Sequence, residues 1–443
     1  VWFYRRSGER LDDEERSAFL GVYTLGANAL ALALLSIDAN DYFEQRKALA
    51  ARAAADGYDW WGRLENTHRF TLTVLWTIYG AVALVVSLAR KLKPLRLAAF
   101  LLLMVTTAKL LLRDLAYYDA AWHTTFFNQT FAAFILLIAA LAYGAWQYAK
   151  AEGIEENERF VAVAVLIATA NLLAIIALSA EATGHFERVQ AAVGGGAGAI
   201  DEVARLENIK QLALSAVWIV YGATALIIGI RRNHRATRMV SLGLFAVAAV
   251  KLLAVDLRYY DAAWHALILN QTFGAFALLI AAIVVAAWFY SRAEEIDEGE
   301  RSTAVTALIV AANLLAIIAL SAEATGYYAR QIREGGEEVR DLQLARQLSL
   351  SVIWAVYGGA MLAVGMARRQ RLLRIMGLLL LGVTIFKVFI VDLASLDQVY
   401  RMISFIVLGL ILLAVSFLYQ RLRLLIIDEG RSQKTEFRSQ ESE

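Results

Sequence analysis

The 443 residues carry 43 basic and 41 acidic side chains for a net charge of +2, and 59% of them are hydrophobic, with a mean hydropathy of +0.54. So even a balance argues against a nucleic-acid partner, and the apolar share lies far above that of an ordinary soluble domain. The chain has no cysteine, which removes disulfides, thiolate nucleophiles and cysteine metal sites, and its one proline, Pro94, leaves little scope for proline-broken spans.

In chain order, no signal peptide opens the sequence. Trp2, Tyr4, Arg16 and Asn28 follow the pattern of Trp146, Tyr148, Arg159 and Asn171, and of Trp288, Arg301 and Asn313. The later tryptophans end apolar runs, so residues 1–15 are expected to be the end of a truncated preceding span and an inner linker.

The first apolar runs cover about 18–37, 70–90, 95–113 and 126–148. A second set covers about 160–180, 212–230, 239–257 and 268–290, and a third about 303–322, 348–367, 372–391 and 402–419. Each is long enough, or nearly so, to cross a hydrocarbon core of about 30 Å. None alternates as a barrel strand would.

The sets are copies of one another. Asn28, Asn171 and Asn313 are spaced by 171 − 28 = 143 and 313 − 171 = 142, and Lys109, Lys251 and Lys387 by 142 and 136. Ala170 to Gly184 recurs letter for letter from Ala312 to Gly326. The expected fold is an all-α integral membrane protein, with twelve transmembrane helices as three tandem parallel four-helix repeats. Their bounds are 16–158, 159–300 and 301–427, followed by a charged cytoplasmic tail at 428–443.

The links around Arg90–Arg96, Arg231–Arg238 and Arg368–Arg374 are short, basic and free of acids, which predicts a cytoplasmic location and a cytoplasmic C-terminus. The long links at 38–69, 181–210 and 324–346 then face outward, as interfacial helices or covers.

On that outer side one segment is written three times. Lys109, Asp114, Tyr117, Tyr118, Asp119, Trp122 and His123 recur as Lys251, Asp256, Tyr259, Tyr260, Asp261, Trp264 and His265. The third version keeps Lys387, Asp392 and Asp397, with Tyr400 and Arg401 in place of Trp and His. A lysine inside a span is costly, so it either snorkels to the headgroups or serves as a cation, countered by acids, that awaits an anionic ligand. Glu181 and Glu323 are expected to join the same polar cavities. The paired tyrosines and tryptophans read as interfacial aromatics. His123 and His265 follow an acid by four positions, but no second His or Cys accompanies them, so no metal site is expected. Asn128-Gln-Thr and Asn270-Gln-Thr open the fourth spans and read as helix-start polar groups; the third copy has Ile406-Val407 there. The mid-span asparagines are expected to bond a neighbouring helix, and Trp76…Tyr79-Gly80 with its copies to serve helix packing.

Trp354…Tyr357-Gly358, Arg368…Arg374…Gly377 and Lys387…Asp392…Asp397…Tyr400-Arg401…Tyr419…Arg421 together resemble a bacterial family of large multi-span membrane proteins, domain of unknown function family 2339. The resemblance is closest in the third copy. It implies a bacterial cytoplasmic-membrane protein, this chain being the C-terminal part of a longer member, and it implies no activity.

No Walker loop, GxSxG, HExxH or dinucleotide fingerprint occurs, so no cofactor is expected. Three readings remain open. One is transport or handling of a lipid or glycan-type envelope substrate. Another is a structural scaffold or assembly factor with envelope protein partners. The third is a membrane enzyme acting on a lipid-linked substrate. Membrane lipids are partners in all three.

Overall fold

In a computed structural model, the described residues are 13–53, 58–118, 121–193, 198–259, 266–268, 270–335, 339–392, 406–407 and 409–419. Among them every regular element is helical. The helices are α1 (Asp13–Ala53), α2 (Tyr58–Ala89), α3 (Lys93–Leu112), α4 (Gln129–Lys150), α5 (Glu156–Ala191) and α6 (Ala199–Arg231). They continue with α7 (Arg235–Ala254), α8 (Gln271–Ser291), α9 (Glu298–Glu334), α10 (Val339–Ala367), α11 (Arg371–Lys387) and the shorter α12 (Gly409–Tyr419). Eleven are long and apolar enough to span a membrane, and this is an all-α membrane protein. The twelfth expected span is represented by α12 alone, and the 428–443 tail lies outside the described residues.

The long links are not separate interfacial helices. The 36 residues of α5 and the 37 of α9 give helices of about 54–56 Å. That is well beyond the ~30 Å of a hydrocarbon core. The physical reason is compositional: beyond Glu181 and Glu323 the Ala, Arg, Glu and Gln residues are helix formers, and no proline intervenes. Helix α6 begins only after Gly198, which stands at φ +99°.

The basic links are built alike. Lys91, Asn233 and Arg369 each take a left-handed conformation, at φ 54°, 48° and 54°. The amide of the next residue bonds five residues back in all three, Leu92 to Ser87, His234 to Gly229 and Gln370 to Gly365, at 2.8–2.9 Å. This is the Schellman closure, which satisfies the last carbonyls of α2, α6 and α10 and turns the chain back antiparallel. The arginines there are partly structural. Arg96 is buried and holds Glu158 through two bonds of 2.7 and 3.0 Å, tying α3 to α5.

The chain divides into two compact units, Val1–Leu252 with Arg292–Asp297, and Leu253–Ser291 with Glu298–Glu443. In the first, α2 packs on α1, α3 and α4, α4 lies along α5, and α5 along α6. Leu84, Leu103, Phe134, Leu137, Leu141, Leu166 and Leu173 fill its core. In the second, α8 lies along α9, α9 along α10 and α10 along α11. The α10–α11 pair approaches closely: a Cβ on Gly377 would stand 2.8 Å from the Leu362 nitrogen and 2.9 Å from the Gly358 carbonyl. Large apolar side chains such as Leu34, Leu112, Val356 and Phe386 remain exposed along the helices, as lipid-facing residues do.

Candidate functional site

The mid-span asparagines are wired as expected. Asn171 folds its amide onto the Ile167 carbonyl at 2.8 Å, leaving its oxygen to accept from the Tyr221 hydroxyl at 2.8 Å. Asn28–Tyr79 and Asn313–Tyr357 repeat this at 2.7 and 3.0 Å. Two turns further on, Trp76, Trp218 and Trp354 donate to Ser36, Ser179 and Ser321 at 2.8–2.9 Å. Tyr221→Phe is expected to cost only about 0.6 kcal/mol, the average for a bond between membrane helices. A thermal melt of the purified variant checks this.

The lysines turn inward. Lys109 Nζ donates to the Arg69 carbonyl at 3.0 Å, to Thr73 Oγ1 at 2.6 Å and to both Asp114 oxygens at 2.9 Å. Thr73 in turn donates to Asp114 Oδ2 at 2.6 Å. Lys387 makes the same set: the Gln347 carbonyl at 2.9 Å, Ser351 Oγ at 2.7 Å and Asp392 Oδ1 at 2.8 Å, with Ser351 donating to Asp392. Lys251 reaches the Gln211 carbonyl at 2.7 Å and Ser215 Oγ at 2.9 Å. The hydroxyl lies 36 residues before the lysine each time, and the carbonyl 40. Asp114, Asp256 and Asp392 are all buried. An ammonium has three N–H donors, and in the first and third clusters a carbonyl, a hydroxyl and a carboxylate take them. The acid arrives because α3, α7 and α11 each break near the lysine, into a 3-10 turn at Asp114–Tyr117 and Asp256–Tyr259 and a wider turn at Val388–Asp392.

Glu181 and Glu323 are engaged elsewhere. Glu181 accepts from the Phe126 amide at 2.8 Å, Asn128 Nδ2 at 2.6 Å and the Tyr118 hydroxyl at 2.9 Å. Glu323 accepts from the Ile268 amide at 2.6 Å and from Asn270 Nδ2 at 2.9 Å. Phe126 and Ile268 sit at φ 63° and 61°, a strained region for any residue but glycine and most so for a β-branched one. The Asn-Gln-Thr segments are helix starts: Asn128 and Asn270 cap α4 and α8 by accepting from the Phe131 and Phe273 amides at 2.7 and 2.8 Å. Each asparagine therefore uses its oxygen on its own helix and its amide on the glutamate of the next long helix. Tyr118, expected at the headgroups, is buried; burial and then the Glu181 carboxylate push its pKa up, so it stays a hydroxyl donor.

His123 is buried, with Nδ1 3.3 Å from the Tyr118 carbonyl and Nε2 3.3 Å from Asn66 Nδ2. A neutral ring protonated on Nδ1 satisfies both contacts. Asp119, Asp261, His265, Asp397 and Arg401 lie outside the described residues, as do Tyr260, Trp264 and Tyr400. Among the described residues no group of three or more metal-ligating side chains converges.

Sequence reasoning did not find the hydroxyl partners Thr73, Ser215 and Ser351, although their constant offset from each lysine was available. It also missed two apolar grooves. One, of about 710 Å³, lies among Leu115, Leu172, Ile176, Ala180, Trp218 and Val247. The other, of about 660 Å³, lies among Leu257, Leu314, Ile318, Ala322, Trp354 and Val383. These are the same six positions, shifted by 142 or 136. A third cavity of about 440 Å³, between α10, α11 and α12, is apolar except at one end, where Ser351 and Asp392 line it.

Residues 116–267 and 260–422 each match the family model described as "Predicted membrane protein (DUF2339)". No curated protein and no solved structure matches the chain.

Proposed function

The chain belongs to the predicted membrane protein family DUF2339, and from that premise we propose that it handles lipid, holding acyl chains in equivalent grooves between successive copies of one four-helix repeat. One family model matching twice, at starts 260 − 116 = 144 residues apart, supports the tandem reading. The observation that carries the proposal is the pair of grooves. They occupy one register, have volumes of about 710 and 660 Å³, and fall in the range of small-molecule sites, ~300–1,000 Å³. Their walls are mostly aliphatic; of the polar residues that line them, Ser179 is bonded to Trp218 and Ser321 to Trp354, with Tyr118, Thr183 and Glu187 at the first groove and Thr325 at the second. Such walls suit a hydrocarbon chain and offer little to a sugar. In this reading the Lys and Asp clusters face outward and hold the groove mouths in shape. Asp392 and Ser351 put one of them at the edge of a cavity of about 440 Å³.

Filling the grooves tests the reading. Ala180→Trp and Ala322→Trp place an indole in each, and the doubly substituted protein is expected to carry fewer co-purified lipids, by about two per chain, when counted by native mass spectrometry. An unchanged lipid count with both grooves filled overturns the proposal.

The bonded state of the lysines favours a second reading, a structural scaffold or assembly factor of the cell envelope. Groups that spend every donor on their own chain build a rigid body without any ligand. This reading expects a stable complex with other envelope proteins that survives the two groove-filling substitutions.

A further inference from the structure

One cavity differs in kind from the apolar grooves. It measures about 220 Å³ and opens between the first turns of α2 and the loop that leads into α4. Its wall holds Arg63, Asn66, Trp122, His123, Asn128 and Gln129, with the Thr67 hydroxyl and, among the described residues, no carboxylate. Buried Asn66 ties the wall together. Its amide donates to His123 Nε2 at 3.3 Å and to Gln129 Oε1 at 3.2 Å, and its oxygen accepts from Thr130 at 3.3 Å.

The hydrogen bonds of this wall leave a surplus of donors. Gln129 Oε1 also accepts from Thr67 at 3.0 Å, and Asn128 Oδ1 accepts from the Phe131 amide at 2.7 Å. These acceptors are spent on the protein. The donors are not: the two hydrogens of Gln129 Nε2 and the Trp122 indole N–H have no partner among the described residues. Arg63 adds a positive charge, 5.9 Å from the Trp122 ring centroid. Glu181 stands behind Asn128, with its oxygens held by Phe126, Asn128 and Tyr118.

The wall is also carried through the repeats as a block. At an offset of 205 − 63 = 142 the same six positions read Arg205, Asn208, Trp264, His265, Asn270 and Gln271. At a further 341 − 205 = 136 they read Asp341, Leu344, Tyr400, Arg401, Ile406 and Val407, and none is kept. The bond from lysine to hydroxyl, by contrast, is present in all three copies. A set that is kept or lost whole, apart from the clamp that shapes the helix ends, behaves as a site and not as part of the frame.

We propose that this cavity is an oxyanion site that takes a phosphate group, carried by an anionic lipid or by a soluble phosphate. A phosphate ester brings acceptors to a wall of unspent donors, and an arginine beside them suits its charge. A sugar would bring hydroxyl donors where the acceptors are spent, and a choline would set a cation beside Arg63. The space is that of about seven waters at ~30 Å³ each, enough for a phosphate ester and too small for an acyl chain. As a lipid headgroup site it rests on the lipid-handling reading and deepens it. His123 Nδ1 lies against the carbonyl of Tyr118, and Tyr118 lines the groove of about 710 Å³.

Phe127, 89% exposed on the cavity wall, is replaced by cysteine in this cysteine-free chain and labelled with an environment-sensitive dye. The full chain in a maltoside detergent is titrated with dihexanoyl phosphatidic acid, with dihexanoylglycerol and with inorganic phosphate. Phosphatidic acid is expected to bind at least about tenfold more tightly than dihexanoylglycerol, which has the same chains without the phosphate; one hydrogen bond to a charged group is worth that much. Gln129→Glu keeps an oxygen for Asn66 and Thr67 but trades the N–H donors for negative charge, and should remove this preference. Trp122→Phe, which deletes one donor and keeps a ring, should reduce it and reads the same donors should Gln129→Glu not fold. A response to inorganic phosphate as strong as to phosphatidic acid upholds the site and makes its ligand soluble. Equal binding of the two lipids, or a preference unchanged in both variants, overturns the inference. Ala180→Trp separates this result from the fate of the grooves: a phosphate preference that persists there upholds the site without them.

Discussion

Lys387→Met is expected to destabilise the purified protein by roughly 3–5 kcal/mol, the cost of stripping the partner from a buried charge. Asp392 is only 2% exposed, and its two oxygens take the ammonium at 2.8 and 3.1 Å. With the methionine in place, the Ser351 hydroxyl still donates to the carboxylate, but the ammonium contacts at 2.8 and 3.1 Å are lost. The double variant Lys387→Met with Asp392→Leu removes both charges and the demand for pairing. It is expected to recover most of the loss, since a buried ion pair replaced by apolar residues of similar volume is often neutral or better. Thermal unfolding of the two variants reads this directly. Strong destabilisation of the single variant and rescue by the double marks the cluster as a latch that closes the end of α11 onto α10. A single variant as stable as the parent, with fewer bound anionic lipids, would instead make Lys387 a ligand-binding cation.

This latch shows how far the sequence carried. That Lys109, Lys251 and Lys387 belong with Asp114, Asp256 and Asp392 was legible, because the spacing of five recurs and an unpaired charge in a span is costly. The hydroxyl that completes each cluster sits 36 residues earlier on another helix, and polar serines and threonines are too common in such spans to stand out. The helix-start role of Asn128 and Asn270 was readable from the side chain alone, since a short amide before an apolar run is a cap. Its second bond, to Glu181 or Glu323, was not, because it depends on how α4 meets α5 and α8 meets α9. Tyr118 was misplaced for the same reason: a tyrosine at a span end reads as interfacial until the buried carboxylate that draws its hydroxyl inward is seen. The grooves left no local trace at all. They are spaces between residues, and every residue that lines them is what a packed helix would carry anyway.

The junction at Glu323 yields the second large effect. Glu323→Leu leaves the Ile268 amide and Asn270 Nδ2 without the acceptor they share, now bonded at 2.6 and 2.9 Å. The stranded Asn270 N–H is buried and costs about 1–3 kcal/mol, while Asn270 keeps its bond to the Ala266 carbonyl and the Ile268 amide, on a residue 54% exposed, adds less. The strain decides where the loss appears. Ile268 is β-branched and stands at φ 61°, a conformation worth about 1–2 kcal/mol against an L residue, and the glutamate bond helps to hold it. Hydrogen exchange should therefore rise first at Ile268 and across the first turn of α8, ahead of any change in α10 or α11. Glu323→Gln separates charge from geometry. Its one oxygen can still accept from Ile268, but its amide then meets the amide of Asn270, so about half the loss is expected. Adding Asn270→Asp reverses the polarity: one carboxylate oxygen keeps the Phe273 cap, at 2.8 Å in the parent, and the other accepts from the new glutamine amide. That pair is expected to exchange more slowly than Glu323→Gln alone. If the pair is no better than the single substitution, the asparagine and glutamate are not a coupled latch, and the register of α8 on α9 rests on the apolar seam alone.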